Sequence, residues 1–299
     1  MKLSPRTLIL LKSALAEDIG RGDLTSEILV PRGARGEAAV VAREGGIFCG
    51  EPVVRGLLRA ADPSLRVRFF TRDGRRFARN KKILTLRGNI RSILKVERTL
   101  LNFLGHLSGI ATLTRRYVDA VKDYPAAILD TRKTTPLWRE LEKYAVRCGG
   151  GENHRFGLWD EILVKDNHWT AIWDLLDQTK CRYFSDKLRP VQSRRKIPVE
   201  VEVRNVKELA HLLEGTFVPD RILLDNFSVP NLARAVSFVH HFFRVLRGRY
   251  GIRRKRPLLE ASGGIDLANV RAVARTGVDR ISIGRLTHSA PALDFSLTL

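Results

Sequence analysis

The sequence predicts a mixed α/β protein in which an α+β domain precedes a domain of parallel strands alternating with helices. Residues 1 to about 90 combine a helical pattern with short β-like pieces bounded by glycine. Beyond residue 121, six short apolar segments are separated by helical patterns, as in proteins with a parallel sheet. At 299 residues and 44% hydrophobic content, the chain is long enough to bury the core that this fold needs.

The first predicted element is an amphipathic helix that Ser4 caps, with Pro5 in its first turn. It runs into the acidic "AED" without a small-residue cleavage site, so we do not interpret it as a targeting segment. The β-like pieces that follow are "EAAVVAREGGIFCG" and "LRVRFFTRDG". Apolar positions at helical spacing then predict a long helix from about Arg91 to Val121. We place the domain boundary in this helix, which gives domains of residues 1–108 and 109–299.

The second domain contains six apolar segments of strand length. In chain order they read "AAILD", "EILVKD", "VEVEV", "RILLDN", "LLEASGG" and "DRISIGR". Six strands in about 170 residues predict either a barrel or a doubly wound sheet.

Each of these strands ends in a charged or small polar residue. These residues are Asp130 and Arg132, Lys165, Glu202, Asp225, Ser262 and Ser282. Because the ligand of a parallel α/β barrel lies at the C-terminal ends of its strands, we expect these side chains to form a site.

The formal net charge of +21 allows two interpretations, nucleic-acid binding or a basic solvated surface. The basic residues cluster in "TRDGRRFARNKK", "SRRK" and "RVLRGRYGIRRKR", outside the chemically specific segments. Zinc-finger spacing and RNA-recognition aromatic motifs are absent from the sequence, so we expect no nucleic-acid partner. Three cysteines without metal-like spacing predict reduced thiols in a cytoplasmic protein, and no apolar run approaches the length of a membrane span.

Cations are concentrated in two segments that carry the site. "DTRKTTP" contains Arg132 and Lys133, "GGGENHRFG" contains His154 and Arg155, and Lys165 follows the next strand. Arginine holds carboxylate or phosphate through a planar fork and lysine adds a point charge, so the ligand should carry several negative charges. The glycine run of residues 149–151 favours a flexible loop that lets backbone approach this ligand.

Two late glycine segments predict a phosphate site. "EASGGI" and "ISIGR" each follow a strand and precede a helical pattern, which places backbone N–H groups near helix N-termini. Glu202 and Asp225 end neighbouring strands and suit Mg²⁺ or ribose hydroxyls. Glu200 lies on the same face of its strand as Glu202, so periodicity alone does not rank the two.

These residues resemble the quinolinate phosphoribosyltransferase family, also called nicotinate-nucleotide pyrophosphorylase (carboxylating). The matching segments run through the chain in order and include "ALAEDIGRGDLTSEIL", "VERTLLNFLGHLSGIAT", "DTRKTTP", "LEKYAVRCGGGENHRFGLWDEILVKDNH", "ILLDNFS" and "GVDRISIGRLTHSAPALDFSL". The resemblance implies the type II phosphoribosyltransferase fold, in which an N-terminal α+β sandwich-like domain precedes an incomplete parallel α/β barrel. It also implies an enzyme of NAD biosynthesis that converts quinolinate and phosphoribosyl pyrophosphate to nicotinate mononucleotide, CO₂ and pyrophosphate with Mg²⁺.

The resemblance also assigns roles to individual residues. Quinolinate would contact Thr131, Arg132, Lys133, His154 and Arg155, with Lys165 between the two substrates. Glu202 and Asp225 would engage ribose and the metal, and Lys133, Lys165, Glu202 and Asp225 would be catalytic. The 5'-phosphate would lie against Ser262, Gly263, Gly264, Ser282, Ile283 and Gly284. Arg98 would enter the site of a second subunit, which implies a homodimer with an interface in the N-terminal domain.

The chain departs from the family pattern at several positions. Leu137 and Trp138 stand where a glycine usually follows the "DTRKTTP" proline, and Glu152 adds a negative charge beside the anion site. The segments from Cys181 to Ile197 and from Ser237 to Pro257 are longer and more basic than is usual. Two alternatives therefore stay open: a relative of the molybdenum-transport-associated family with the same fold, and an inactive basic scaffold that binds nucleic acid.

Overall fold

The computed structural model describes residues 1–175, 180–194, 196–215, 217–251 and 254–299. The chain forms two compact units, and both are discontinuous along the sequence. The first unit contains Met1–Arg116, Lys133–Gly151 and Gly284–Leu299, and the second contains Tyr117–Arg132 and Glu152–Ile283. The sequence predicts two domains that are each continuous along the chain, with the boundary between residues 108 and 109. That boundary stays a prediction.

The described residues form the following helices and strands. The helices are α1 (Pro5–Ile19), α2 (Leu24–Leu29), α3 (Glu51–Ala61), α4 (Ile90–Val121), α5 (Arg139–Cys148), α6 (Asp166–Leu175), α7 (Lys180–Arg194), α8 (Val206–Glu214), α9 (Val229–Tyr250), α10 (Val270–Arg275) and α11 (Arg285–His288). The strands are β1 (Arg35–Ala42), β2 (Gly46–Ile47), β3 (Arg66–Phe69), β4 (Arg76–Phe77), β5 (Lys82–Asn89), β6 (Ala127–Leu129), β7 (Ile162–Val164), β8 (Val199–Val203), β9 (Arg221–Asp225), β10 (Leu258–Ser262), β11 (Arg280–Ser282) and β12 (Phe295–Thr298).

The first unit contains an antiparallel sheet with the strand order β12-β1-β5-β3. In β1 the alternate residues Ala38, Val40 and Ala42 are buried, as expected for a strand with one face on the core. The predicted cap of α1 is confirmed, because the Ser4 hydroxyl accepts a hydrogen bond from the Thr7 N–H at 3.2 Å. The late strand β12 pairs antiparallel with β1, so the sheet joins two distant parts of the chain.

The second unit contains a parallel sheet with the strand order β6-β11-β10-β9-β8-β7. Strands β7 to β11 lie side by side in chain order, and β6 pairs with β11, the last of them. This circular order is typical of a barrel, whereas a doubly wound sheet reverses its order at an internal strand. Strands β6 and β7 form the two edges of the sheet, so the barrel is incomplete and the predicted fold class is confirmed.

The two faces of this sheet differ in polarity because apolar and polar residues alternate along its strands. Val199 and Val201 of β8 pack with Val164 of β7 and with Phe217 in an apolar cluster. The opposite face carries the polar residues, which are Glu200, Glu202, Arg221, Asp225, Glu260, Ser262, Arg280 and Ser282. The polar strand residues therefore share one side of the sheet.

Among the described residues, no helix combines the length and the apolar content that a membrane span requires.

Candidate active site

The polar ends of the parallel strands are aligned by strand register. Asp225 at the end of β9 lies opposite Ser262 of β10, which lies opposite Ser282 of β11. Glu202 of β8 lies opposite Leu223, which precedes Asp225 by two residues on the same face. The sheet thereby brings four of the predicted site residues to one edge.

A short ion pair joins this edge to β7. Lys165 directly follows β7, and its Nζ donates a hydrogen bond to Oε2 of Glu202 at 2.8 Å. The Lys165 side chain is 45% exposed and the Glu202 side chain is 7% exposed. On the neighbouring strand, the Asn226 amide donates a hydrogen bond to Oδ2 of Asp225 at 2.7 Å. A largely buried carboxylate, a half-exposed ammonium and a second carboxylate therefore line the edge.

The turn after β10 requires glycine. Gly263 and Gly264 have φ angles of 90° and 60°, and a Cβ on Gly263 would lie 2.1 Å from Oδ1 of Asn226. The turn does not lead into a helix as the sequence suggests, since α10 begins only at Val270. Gly284 directly precedes α11, but that helix has four residues. Backbone conformation and close approach, rather than helix N-termini, explain the glycines at 263 and 264.

Two arginines lie near each other beyond β6. Arg132 is exposed, whereas Arg155 is 7% exposed and donates a hydrogen bond from Nη1 to the carbonyl oxygen of Glu161 at 3.2 Å. Burial and the positive charge of Arg132 lower the pKa of Arg155. Two neighbouring guanidinium groups that repel each other form a favourable place for an anion.

The segment that carries Arg155 is attached to the edge of β6. The Glu152 N–H donates to the Ile128 carbonyl at 2.8 Å, and the Asp130 N–H donates to the Glu152 carbonyl at 3.2 Å. The His154 N–H donates to Oδ1 of the buried Asp130 at 2.9 Å. The Glu152 residue is exposed, so the acidic departure noted in the sequence lies at the surface.

The His154 ring lies inside the sheet among carboxylates. Its Nε2 is 3.1 Å from Oε2 of Glu200 and 3.2 Å from Oε1 of Glu260, and both glutamates are 0% exposed. Oε2 of Glu260 accepts a second contact from Nε of Arg280 at 2.9 Å. These atoms of His154, Glu200 and Glu260 form the one group of three potential metal ligands within the described part of the chain.

The charges of this buried cluster depend on one another. Burial pushes the pKa of His154 down, but the contacts with Glu200 and Glu260 outweigh it and raise the pKa to about 10. Burial and the charge of Glu260 raise the pKa of Glu200 to about 7. Burial opposes ionisation of Glu260 as well, yet His154 and Arg280 lower its pKa. The Arg155 N–H lies 2.7 Å from Nδ1 of His154, which accepts a hydrogen bond from it only while Nδ1 carries no proton.

Comparison with known proteins places this arrangement in a family. The model of the quinolinate phosphoribosyl transferase C-terminal domain matches residues 110–298, and the model of the N-terminal domain matches residues 23–108. The chain belongs to the quinolinate phosphoribosyl transferase family. The resemblance inferred from the motifs is confirmed.

Individual members of the family are similar over nearly the whole chain. The nicotinate-nucleotide pyrophosphorylase of Mycobacterium leprae is 40% identical, with 97% of this chain and 95% of the relative covered. A probable nicotinate-nucleotide pyrophosphorylase of Synechocystis is 39% identical, with 97% and 91% covered. The solved structure of the Francisella tularensis nicotinate-nucleotide pyrophosphorylase has a TM-score of 0.84 at 36% identity, with 99% of this chain and 98% of that chain covered.

In the first unit of this family member, three hydrogen bonds hold residues 133–135 of the "DTRKTTP" segment. The Thr287 hydroxyl donates to the Lys133 carbonyl at 2.6 Å, and Nε of Arg139 donates to the Thr134 hydroxyl at 3.0 Å. Glu142, which is 0% exposed, accepts from the Thr135 N–H at 3.1 Å and contacts Nε2 of His106 at 2.9 Å. Sequence reasoning missed Glu142 and Thr287, because only the fold brings them to the loop.

The departure at Leu137 and Trp138 has a structural consequence. Leu137 has a φ of 69°, in the left-handed region where glycine is favoured, and it is 60% exposed. The Trp138 ring stacks on Phe103 with centroids 4.4 Å apart and meets the His106 ring edge-on at 5.2 Å. The tryptophan therefore packs into the unit while the leucine remains in a strained conformation.

The glycine run before His154 has a different role from the one the sequence suggested. The Gly149 N–H donates to the Ala145 carbonyl at 3.0 Å, so the run ends α5. A Cβ on Gly149 would lie 2.5 Å from both the Ala111 carbonyl oxygen and Cβ of Thr114 in α4. Close packing of α5 on α4 therefore requires glycine at position 149.

The remaining predicted residues are divided between the two units. Thr131 and Ile283 belong to the second unit, where the Ile283 N–H donates to the Leu129 carbonyl at 2.9 Å. Arg98, Lys133 and Gly284 belong to the first unit, and Arg98 is exposed on α4. The roles of all these residues stay predictions.

The two basic segments lie mostly in α7 and α9, and residues 195 and 252–253 lie outside the described ones. Around the N-terminal ends of β8, β9 and β10, they border a cavity of about 700 Å³. Its charged lining residues are Arg189, Lys196, Asp220, Arg221, Arg254, Lys255 and Arg256. Part of the +21 charge therefore lies at the end of the strands away from the aligned polar edge.

Proposed function

We propose that the protein transfers the phosphoribosyl group of phosphoribosyl pyrophosphate to quinolinate, releasing pyrophosphate and CO₂ and forming nicotinate mononucleotide for NAD biosynthesis. Support comes from one observation above all. Cations and carboxylates from separate strands meet at the C-terminal edge of one parallel sheet, in a chain that belongs to the quinolinate phosphoribosyl transferase family. Both substrates are polyanions, which matches the cations at this edge.

Binding of quinolinate is assigned to the two guanidinium groups. Arg132 and Arg155 repel each other, so an anionic carboxylate between them is stabilised by both. Lys165 adds an ammonium that is half exposed and already held by Glu202. Family resemblance also assigns Lys133 a contact with quinolinate.

The chemistry requires two bonds to break. The C1–O bond of the ribose breaks first, with its electron pair leaving on pyrophosphate, and Glu202 and Asp225 stabilise the positive charge that develops on C1. The pyridine nitrogen supplies the electron pair of the new N–C1 bond. The quaternised ring then accepts the electron pair of the bond to the 2-carboxylate, CO₂ leaves, and C2 takes up a proton from solvent. The protein contributes chiefly by orienting two anions.

Mg²⁺ is the metal that we assign to this reaction. Glu202 and Asp225 present hard carboxylate oxygens on neighbouring strands, and Mg²⁺ uses one or two carboxylates together with substrate phosphate oxygens, so the residues fit. When bound, the ion would neutralise charge on the departing pyrophosphate.

The assignment is tested by incubating the pure protein with quinolinate, phosphoribosyl pyrophosphate and Mg²⁺, and measuring nicotinate mononucleotide. Arg132→Ala should lower kcat/KM by about 10²–10³-fold, because it removes a charge that binds the reacting dicarboxylate. Arg275→Ala is the matched control, since Arg275 is an exposed arginine of α10 in the same unit. Wild-type protein without product, or Arg132→Ala with unchanged kcat/KM, would refute the proposal.

A homodimer with Arg98 donated between subunits is the second part of the proposal, and it rests on the family resemblance and on the exposure of Arg98. Arg98→Ala and Arg132→Ala proteins should each be inactive. After random mixing they should recover about a quarter of the wild-type activity, because half of the dimers then carry one intact site. No recovery in mixtures whose subunits have exchanged, as measured by mass, would contradict the donation of Arg98.

The same assay separates the alternatives. A relative that uses another acceptor would make no nicotinate mononucleotide from quinolinate, and a nucleic-acid scaffold would bind polyanions in a strongly salt-dependent manner without turnover. A cytoplasmic location stays a prediction.

A further inference from the structure

Both nitrogens of the His154 ring face groups of the protein. Nε2 lies between Glu200 and Glu260, at 3.1 and 3.2 Å, and Nδ1 lies 2.7 Å from the Arg155 N–H. The ring is 7% exposed. These contacts leave the ring poorly placed to meet a substrate directly, although family resemblance assigns it a contact with quinolinate.

The ring connects strands that are not neighbours in the sheet. Its backbone N–H is bonded to Asp130 beyond β6, whereas Glu200 belongs to β8 and Glu260 to β10. The segment 152–155 is thus tied at one end to an edge strand and, through one side chain, to the middle of the sheet. The residue that follows His154 is Arg155.

Burying Glu200 and Glu260 around the His154 ring costs free energy, because both carboxylates lose contact with water. Both are 0% exposed, and both oxygens of Glu200 and Oε1 of Glu260 lack a well-aligned hydrogen-bond donor among the described residues. Buried ion pairs generally stabilise a fold no better than apolar residues of the same volume. Two like charges that share one histidine therefore indicate a requirement other than stability.

We propose that Glu200 and Glu260 are positioning residues for the substrate anion: by holding the His154 ring from two strands, they fix the orientation of Arg155 beside Arg132. This inference rests on the proposed function, since it names what orients the quinolinate cations. Around His154 the charged groups are Asp130 beyond β6, Arg155, Glu200 on β8, and Glu260 with its partner Arg280 on β10 and β11. Glu161 and Arg221 form a further pair nearby on the same side.

The decisive variant is Glu200→Gln, because among the described residues the ion pair of Glu200 is with His154, whereas Glu260 pairs with both His154 and Arg280. It keeps the shape of the side chain and removes one of two crowded buried charges. We expect the KM for quinolinate to rise at least tenfold, the KM for phosphoribosyl pyrophosphate to change less than twofold, and the melting temperature to stay level or rise. A residue with a purely structural role would show the reverse, with a lower melting temperature and an unchanged quinolinate KM.

Asp279→Asn is the matched control, since it also removes an ion-paired carboxylate of the second unit, one whose partner is Arg256 rather than His154. It should lower the melting temperature and leave both KM values unchanged. If Glu200→Gln does not fold, Glu200→Asp provides the same test, because it keeps the charge and withdraws it from Nε2.

A double-mutant cycle identifies the route of the effect. If Glu200 acts through His154, adding Glu200→Gln to His154→Ala should not raise the quinolinate KM further, whereas independent effects would multiply. If the wild-type protein is active and Glu200→Gln has an unchanged quinolinate KM, this inference alone is overturned. If the wild-type protein is inactive, the proposed function is overturned. The inference would also be overturned if wild-type protein in Mg²⁺-free buffer retained one divalent ion per chain and Glu200→Gln lost it. That result would indicate a metal site at His154, Glu200 and Glu260.

Discussion

Glu200 and Glu202 stand two residues apart on one strand and face the same side of one sheet, yet they lie in different regions of it. Glu202 is at the edge, where it pairs at 2.8 Å with Lys165, whose side chain is 45% exposed. Glu200 is in the interior, where a histidine and a second glutamate surround it. The charged group at the edge is accessible to solvent, whereas the charged groups of the interior are surrounded by one another. Periodicity alone would treat the two glutamates as equivalent.

The largest expected effect tests the edge. Glu202→Gln should lower kcat by about 10²-fold, because it removes a charge that stabilises the developing cation at C1, and the melting temperature should change little. Steady-state kinetics and thermal unfolding of the same preparation measure both. Glu214→Gln, at an exposed position at the end of α8, is the control. A Glu202→Gln variant that unfolds early while keeping kcat would show that edge and interior do not differ in function.

A smaller effect, on stability alone, should come from the other end of the strands. Asp279 accepts hydrogen bonds from both terminal nitrogens of Arg256 at 2.7 Å and from the Leu259 N–H at 2.7 Å. Asp279→Asn should reduce the free energy of unfolding by about 1–3 kcal/mol, because it weakens charged hydrogen bonds. Chemical denaturation at pH 7 measures the loss, and kcat should be unchanged.

The same pair predicts a pH dependence. Burial pushes the pKa of Asp279 up, but Arg256 and the Leu259 N–H outweigh it and lower the pKa below its ordinary value. Since the carboxylate is favoured in the folded protein, its contribution is complete above the unfolded pKa of about 4 and is lost as the pH falls through the lower folded value. The difference in stability between wild type and Asp279→Asn should therefore shrink below about pH 4. A difference that grows with acidity would contradict this assignment.

The smallest expected effect is on stability and comes from backbone strain at Leu137, in the loop after β6. Leu137 adopts a φ of 69° while 60% exposed, so a glycine there should relieve strain and sacrifice little packing. Left-handed backbone costs a residue with a side chain roughly 1–2 kcal/mol, and the flexibility of glycine offsets about half of that. Leu137→Gly should thus stabilise the protein by about 0.5–1 kcal/mol. Leu158→Gly, at an exposed position without positive φ, should destabilise the protein. If Leu137→Gly and Leu158→Gly both lower the free energy of unfolding, Leu137 is not strained.

The strands, the long helix and the polar strand ends could be predicted from the sequence, because alternation and local composition determine them. Ser4 as a cap and Ser262 at a strand end are examples of such local signals. What could not be predicted depends on distant contacts. The direction of the His154 ring is decided by Glu200 and Glu260, which lie 46 and 106 residues further along the chain.

The glycines illustrate the same limit. The run of three glycines before His154 suggests a loop that approaches a ligand. Gly149 is needed for another reason, because a Cβ there would clash with the Ala111 carbonyl oxygen and with Thr114 on α4. Glu142 lies in a segment that resembles the family, but nothing in the sequence indicated that its carboxylate accepts a hydrogen bond from the Thr135 N–H. Motifs therefore predict which residues carry the chemistry of the site, whereas the contacts that hold those residues became visible only in three dimensions.

The pairing of β12 with β1 has a consequence for synthesis on the ribosome. Strand β1 ends at Ala42 and its partner begins at Phe295, so about 250 residues must be translated before this edge can be covered. At ordinary elongation rates that delay is on the order of ten to fifty seconds. An apolar strand with an open edge during that time is a target for intermolecular pairing, so the yield of soluble protein should depend on chaperones that bind nascent chains.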